Sequence, residues 1–419
     1  MNTPRVTRFF LALLGSCFAS MAIAQPAVLR IEAIDRTGTL EEAPQTRLFL
    51  GASFNGWNPA GTEQSGWFDE NGERVGWVFE IPRSKIEHGG EFKLTRGSWA
   101  TVECTAQGQP IDNRRTGEPD WDLPGGPVLL LEVLGFEDAF EAAGKAAVST
   151  VVGGTLEVWE FHSEALGEDR TVRVWLPEAY EAQPDRALGV FYFHDGQNVF
   201  DTQNSAFGVE WQADEAVSEL AGGGVIEPWI IVGVDNSGVN RSRDYLPFAP
   251  GSIAPELPGG GADEYLRFLI DELMPEIASR YRVRTGPEHT GLGGSSFGGV
   301  ITLHAIMSRP GVFGAALVES PSLSVGDGKL MAMLEAFDGA WPERVFLGMG
   351  DAETGRADRD AQLVEACQRA GAMLRTRGLG TDRLRVVIGE GARHNEAAWQ
   401  ERLPGALGFL LGKDQAAGD

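Results

Sequence analysis

Cysteine is scarce in this chain, three residues among 419, and that scarcity removes one class of architecture at the outset. A disulfide-stapled scaffold needs paired cysteines, whereas Cys17, Cys104 and Cys367 lie far apart, so Cys104 and Cys367 are expected as free thiols. Histidine is also sparse, at six residues, and neither zinc-ligand spacing nor a glycine-rich nucleotide loop occurs; no metal or cofactor is expected. Basic residues are outnumbered, 35 Lys and Arg against 60 Asp and Glu, for a net charge of −25. Such a surface repels phosphate backbones and anionic headgroups, and no basic run offsets it, which excludes nucleic acid as an expected partner. Long apolar runs are missing too. The run from Phe9 to Leu14 is followed by Gly15, Ser16 and Ser20, short of the roughly 20 residues a spanning helix requires, so no stable membrane span is expected.

What is present begins at the N-terminus. Arg5 and Arg8, the apolar run and then small residues up to Ala22-Ile23-Ala24 read as a secretory signal peptide over residues 1–24, cleaved after Ala24. The expected location is secreted or periplasmic, with a mature charge of −27 because two arginines and no acid are removed. An alternative is a lipoprotein signal in which Leu14-Gly15-Ser16-Cys17 presents Cys17 for lipid attachment.

Two kinds of text follow. From Leu48 to Arg115, LFLGASFNGWN, GWVFEI and GEFKLTRGSW each read as a short strand entering a turn, and PVLLLEV adds a last strand after Pro124-Gly125-Gly126-Pro127. Residues 25–135 are expected to form a small all-β sandwich of immunoglobulin-like type, joined by a linker over 136–154. From residue 155 to 413 short apolar strands alternate with helices, the pattern of an α/β fold whose mostly parallel sheet is flanked by helices, ahead of a tail at 414–419. VRVWL, LGVFYFH, WIIVGVD, HTGLGG, GAALVE, RVFLGMG and RVVIG are the strand candidates. Helices are expected over Asp263 to Tyr281, with Asp263 as its cap, over Ala361 to Arg377 and over Glu396 to Leu411.

Chemistry concentrates at Gly294-Ser295-Ser296-Phe297-Gly298, a G-x-S-x-G pattern between a strand and a run of helical capacity. Glycines at those positions let a tight strand-to-helix turn hold Ser296 with its hydroxyl exposed, with Ser295 facing away. A serine hydroxyl is a poor nucleophile unless a base takes its proton. His394 is the histidine that follows this helix, in a loop after a strand at the carboxyl edge of the sheet. The orienting acid should lie between them, and Asp351 and Glu353 both follow the strand Arg344 to Gly350. Glu353 has the longer reach to the next loop, while Asp351 is suited to hold the turn; Asp351 stays as the alternative.

The segments FYFHDGQNVFD, VGVDN, DEYLRFLIDELMPEIASRYRV, GLGGSSFGG and RHNEAAWQERLPGALGFLL resemble the esterase D family of α/β hydrolases, which includes enterochelin and feruloyl esterases. The resemblance implies Ser296 as nucleophile, His394 as base and Gly350-Asp351-Ala352-Glu353 as the acid's motif. It also implies an oxyanion hole from the N–H of Phe297 and one near Gly196 or Gln197. Ala392-Arg393 before the histidine departs from the family's glycines. Over residues 46–101 the chain resembles the glycogen-binding module of AMP-activated kinase, with Trp57, Lys93 and Trp99 at the sugar-platform positions. That implies an α-glucan partner, since aromatic faces suit the apolar faces of a pyranose. The expected function is a serine carboxylic-ester hydrolase acting through an acyl-enzyme on a small-molecule, siderophore or carbohydrate-linked ester. The alternatives are acyl transfer to a sugar and a non-catalytic glycan-binding protein.

Overall fold

The protein is seen in a computed structural model that describes residues 28–413, apart from 44, 63, 69–73, 87–88, 106–107, 109–110, 118, 122–125, 137–148, 206–208 and 255–256. The expected signal peptide with Cys17, most of the expected linker and the tail lie outside the described residues.

The N-terminal strands are β1 (Val28–Asp35), β2 (Phe49–Ala52), β3 (Ser65–Phe68), β4 (Arg74–Pro82), β5 (Glu91–Thr95), β6 (Glu103–Cys104), β7 (Arg114–Arg115), β8 (Val128–Val133) and β9 (Gly135–Phe136). They pair in the orders β3-β4-β1-β8, β2-β5-β7 and β6-β9. Alternation drives the packing: Leu29, Ile31 and Ala33 of β1 and Trp77, Phe79 and Ile81 of β4 meet Leu50, Phe92 and Leu94 of the second sheet in one core. β1 was not among the expected strands. Arg30 and Glu32 on its outward face dilute its apolar content, although its period of two was readable.

The larger sheet contains β10 (Gly154–Ser163), β11 (Glu168–Pro177), β12 (Gly189–His194), β13 (Trp229–Val234), β14 (Thr290–Ser295), β15 (Ala315–Glu319), β16 (Arg344–Gly350) and β17 (Leu384–Gly389). Its order is β10-β11-β13-β12-β14-β15-β16-β17, parallel from β13 to β17, with β11 antiparallel to both neighbours. All seven expected strand sequences fall in it, and the unexpected member is the edge strand β10. β12 through β15 are buried along their whole length because helices cover both faces. One face carries the helical segment 262–280 and the other carries Glu396–Leu411 and Ala213–Gly222, while Ala357–Thr376 packs beside β16.

The helix at Glu396–Leu411 has the expected bounds, capped by Asn395 accepting from Ala398 N–H at 3.1 Å. The other two differ. The helix expected from Ala361 begins at Ala357, with Asp358 and Asp360 in the first turn, where carboxylates complement the exposed N–H groups. The segment 262–280 is helical throughout but passes through a π-helical stretch at Arg267–Leu273. Asp263 does not cap it: Gly261 holds the N-cap position, and the Asp263 carboxylate lies 2.9 Å from His304 Nε2. Cys104 and Cys367 are both buried, and no disulfide joins them.

Candidate active site

The loops after β12, β14, β16 and β17 leave the same carboxyl edge of the sheet, and the residues singled out from sequence ride on them. After β14 the chain turns at Ser296, with φ 56° and ψ −118°, before the helix Phe297–Ser308. This is a conformation that a non-glycine residue holds only when its surroundings impose it. Ser296 N–H donates to Glu319 O at 3.0 Å, and a Cβ at Gly294 would come within 3.1 Å of His194 Cβ, so a larger residue there would be tightly packed. Among the described residues the Ser296 hydroxyl makes no hydrogen bond, and it faces a cleft that His394 also lines. Ser295 is 4% exposed and borders the cleft beside Ser296.

His394 Nδ1 lies 2.5 Å from Glu353 Oε2. The other carboxylate oxygen accepts from Ser320 Oγ and from Gly350 N–H, each at 2.6 Å. Burial opposes ionisation of Glu353, but the His394 charge and these hydrogen bonds outweigh it and hold the carboxyl below its usual value. The converse holds for His394: burial alone would lower its pKa, and the Glu353 charge and hydrogen bond raise it above the ordinary imidazole value. The ring meets Trp399 edge to face at 5.2 Å, which fixes its plane. Asp351 has a different partner, since its Oδ1 accepts from Gly391 N–H at 2.6 Å across the adjoining loop.

After β12, Asp195 adopts φ 57° and Gly196 and Gln197 open a short turn toward the cleft. A Cβ on Gly196 would lie 2.4 Å from Gly233 C, so only glycine fits. The N–H of Phe297 is the first amide of its helix and has no carbonyl within that helix to reach. With Gln197 in the same cleft, the arrangement can present backbone donors to an oxygen held near Ser296.

This architecture invites comparison with known proteins. Residues 163–410 match the model of the Esterase family, described as "Putative esterase". The chain belongs to that family. Membership makes it a carboxylic ester hydrolase, as the sequence suggested. Among curated relatives, the siderophore triacetylfusarinine C esterase of Aspergillus fumigatus is 32% identical over 164 residues, covering 38% of this chain and 52% of the relative. The ferri-bacillibactin esterase BesA of Bacillus subtilis is 27% identical over 168 residues, covering 37% and 55%. The chain thus spans just over half the length of these two. Among solved structures, siderophore hydrolase EstB from Aspergillus nidulans superposes with a TM-score of 0.51 at 20% identity, over 66% of this chain and all of that one. The BES protein from Bacillus cereus gives 0.50 at 22% identity, over 64% and 98%. These likenesses carry the α/β-hydrolase fold.

Three features of the esterase's cleft were not read from sequence. Arg241 clamps both oxygens of Asp195 at 2.7 Å and lies 5.6 Å from the Phe297 ring centroid, so it ties the loop after β12 to the start of the Ser296 helix. No motif surrounds it, and only the fold brings it there. Ser320, at φ 38°, links Glu353 to Trp399 by donating to the carboxylate and accepting from the indole N–H at 3.0 Å. Glu396 is buried beside His394, and burial pushes its carboxyl up to about 7. Trp57, Lys93 and Trp99 line the same cleft as Ser296 and His394, with the two indoles 6.4 Å apart. Sequence reading treated them as a platform separate from the catalytic residues.

Proposed function

We propose that this esterase is an exported serine hydrolase in which Ser296 attacks the ester carbonyl, His394 takes and returns the proton, and Glu353 orients the imidazole. Phe297 N–H and an amide at Gly196 or Gln197 hold the developing oxyanion, and water then releases the acyl-enzyme. The observation that carries this reading is the 2.5 Å contact of His394 with Glu353 at a cleft shared with the strained Ser296.

The substrate we infer is a large, ring-bearing ester, carbohydrate-linked or siderophore. The cleft measures about 230 Å³, below the roughly 300–1,000 Å³ that encloses a whole drug-sized ligand. It therefore takes one arm of a larger molecule. The indoles of Trp57 and Trp99 offer flat apolar faces to a ring, and the names of the siderophore esterase relatives agree with such a substrate. The N-terminal strands are read as an immunoglobulin-like module of the glycogen-binding type whose Trp57, Lys93 and Trp99 grip the substrate at the catalytic cleft.

Ser296→Ala tests the nucleophile. Hydrolysis of an activated aryl ester should fall to the residual rate that binding and oxyanion stabilisation support, with an unchanged melting temperature. Near-full activity in that variant would overturn the assignment.

A further inference from the structure

Several buried carboxylates in this protein face a guanidinium: Asp195 has Arg241, Asp235 has Arg173, Asp244 has Arg170, and Glu319 has Arg402. The group formed by Glu210, Asp214 and Glu215 breaks that pattern. Each offers an oxygen within 4.8 Å of the other two, and Glu210 and Asp214 are 1% and 0% exposed. Among the described residues, no lysine, arginine or histidine forms an ion pair with any of the three. Their hydrogen bonding is one-sided. Glu210 Oε1 accepts from Thr150 Oγ1 at 2.5 Å and Asp214 Oδ2 from Val152 N–H at 2.7 Å. Glu210 Oε2, Asp214 Oδ1 and Glu215 Oε2 are buried and have no hydrogen-bond partner. Burial pushes the Glu210 carboxyl up to about 7 and that of Asp214 up to about 8, the response of acids packed together without a positive neighbour. Unpartnered buried carboxylate oxygens are costly, and either protons or a cation must balance them.

We propose that Glu210, Asp214 and Glu215 form a calcium site. The donor set is all carboxylate oxygen, which suits a hard cation and lacks the imidazole or thiolate that zinc or copper prefers. Oxygens that all lie within 4.8 Å of one another can share one ion with bonds of about 2.3–2.6 Å. Magnesium demands strict octahedral geometry and gives up its waters reluctantly, so an all-protein carboxylate cage suits it less. The location gives the ion a purpose. Thr150 and Val152 belong to the segment entering β10, Glu210 stands between Val209 and Trp211 of the cleft wall, and Asp214 and Glu215 open the helix Ala213–Gly222. The ion fastens these three segments together and positions the wall that Val209 and Trp211 form, without touching a reacting atom.

The test uses the full chain stripped with a chelator. Calcium at millimolar concentration should raise the melting temperature by about 3 °C or more, with magnesium giving a smaller shift. Terbium bound in its place should emit on excitation of tryptophan, Trp211 being adjacent, and calcium should quench that emission by displacement. The double variant Asp214→Asn, Glu215→Gln removes the charge conflict, so it should melt no lower than the stripped wild type and lose the calcium shift. A wild-type melting temperature that calcium leaves unmoved would overturn the proposal and leave protons as the balancing charge. A full calcium shift retained in the double variant would overturn it equally, by locating the ion elsewhere.

Discussion

Asp351 and Glu353 stand two residues apart and serve different partners, one a loop amide and the other the imidazole of His394. Glu353→Gln should therefore lower turnover by about 10⁴, because the imidazole loses the partner that sets its tautomer. Asp351→Asn should keep most of the turnover and lower the melting temperature; the reverse pattern in turnover and melting curves would reassign the acid. The same contact sets the pH dependence. In the proposed mechanism His394 must be neutral to accept the Ser296 proton, and its pKa is raised above 6.5 by Glu353 against the pull of burial. The acid limb of kcat/KM should thus lie above pH 6.5, with activity rising as pH rises through it, and Glu353→Gln should move that limb downward. An acid limb that stays in place in the variant would mean that another group controls it. Ser296, His394 and Glu353, the proposed nucleophile, base and acid, were legible because such a set follows a fixed order in the chain with recognisable neighbours. Arg241 and Ser320 were not, since their roles consist of contacts with Asp195 and Glu353 that arise only when distant strand ends meet.

The strands of the larger sheet were readable as elements because parallel strands buried on both faces are continuous apolar runs. β1 and β10 escaped because charged residues interrupt both, Arg30 and Glu32 in one and Glu157 and Glu160 in the other, and an edge or half-exposed strand dilutes its own signal. The N-terminal elements carry the larger surprise, since the turn after β2 and the turn after β5 bring Trp57 and Trp99 to the Ser296 cleft. Trp99 packs closely on Gly51, where a Cβ would meet its ring at 2.4 Å, so its removal would disturb β2 as well as the cleft. Trp57 is the cleaner probe. Trp57→Ala should lower kcat/KM for a bulky ring-bearing ester about tenfold, the effect of losing roughly 1.4 kcal/mol of contact, and leave a small acetyl ester within about twofold. Equal effects on both esters would show that the indole supports structure instead of gripping substrate.

For the whole molecule the dominant quantity is the net charge of −25, which sets a field that any charged substrate must enter. Raising ionic strength from about 10 to about 200 mM shortens the Debye length severalfold. For an anionic ester kcat/KM should rise over that range, while for a neutral ester of similar size it should stay level. A fall with salt for the anionic ester would mean that a positive local field at the cleft outweighs the net charge. The sequence by itself determined that charge, the scarcity of cysteine, and the α/β alternation with its order of serine, acid and histidine, because composition and short-range periodicity need no knowledge of which segments touch. Only the tertiary structure decided that Trp57 and Trp99 share a cleft with Ser296, that Arg241 locks Asp195, and that Glu210, Asp214 and Glu215 converge with no basic side chain paired to them among the described residues. Each of these depends on contacts across long sequence separations, and burial then fixes the charge states that result.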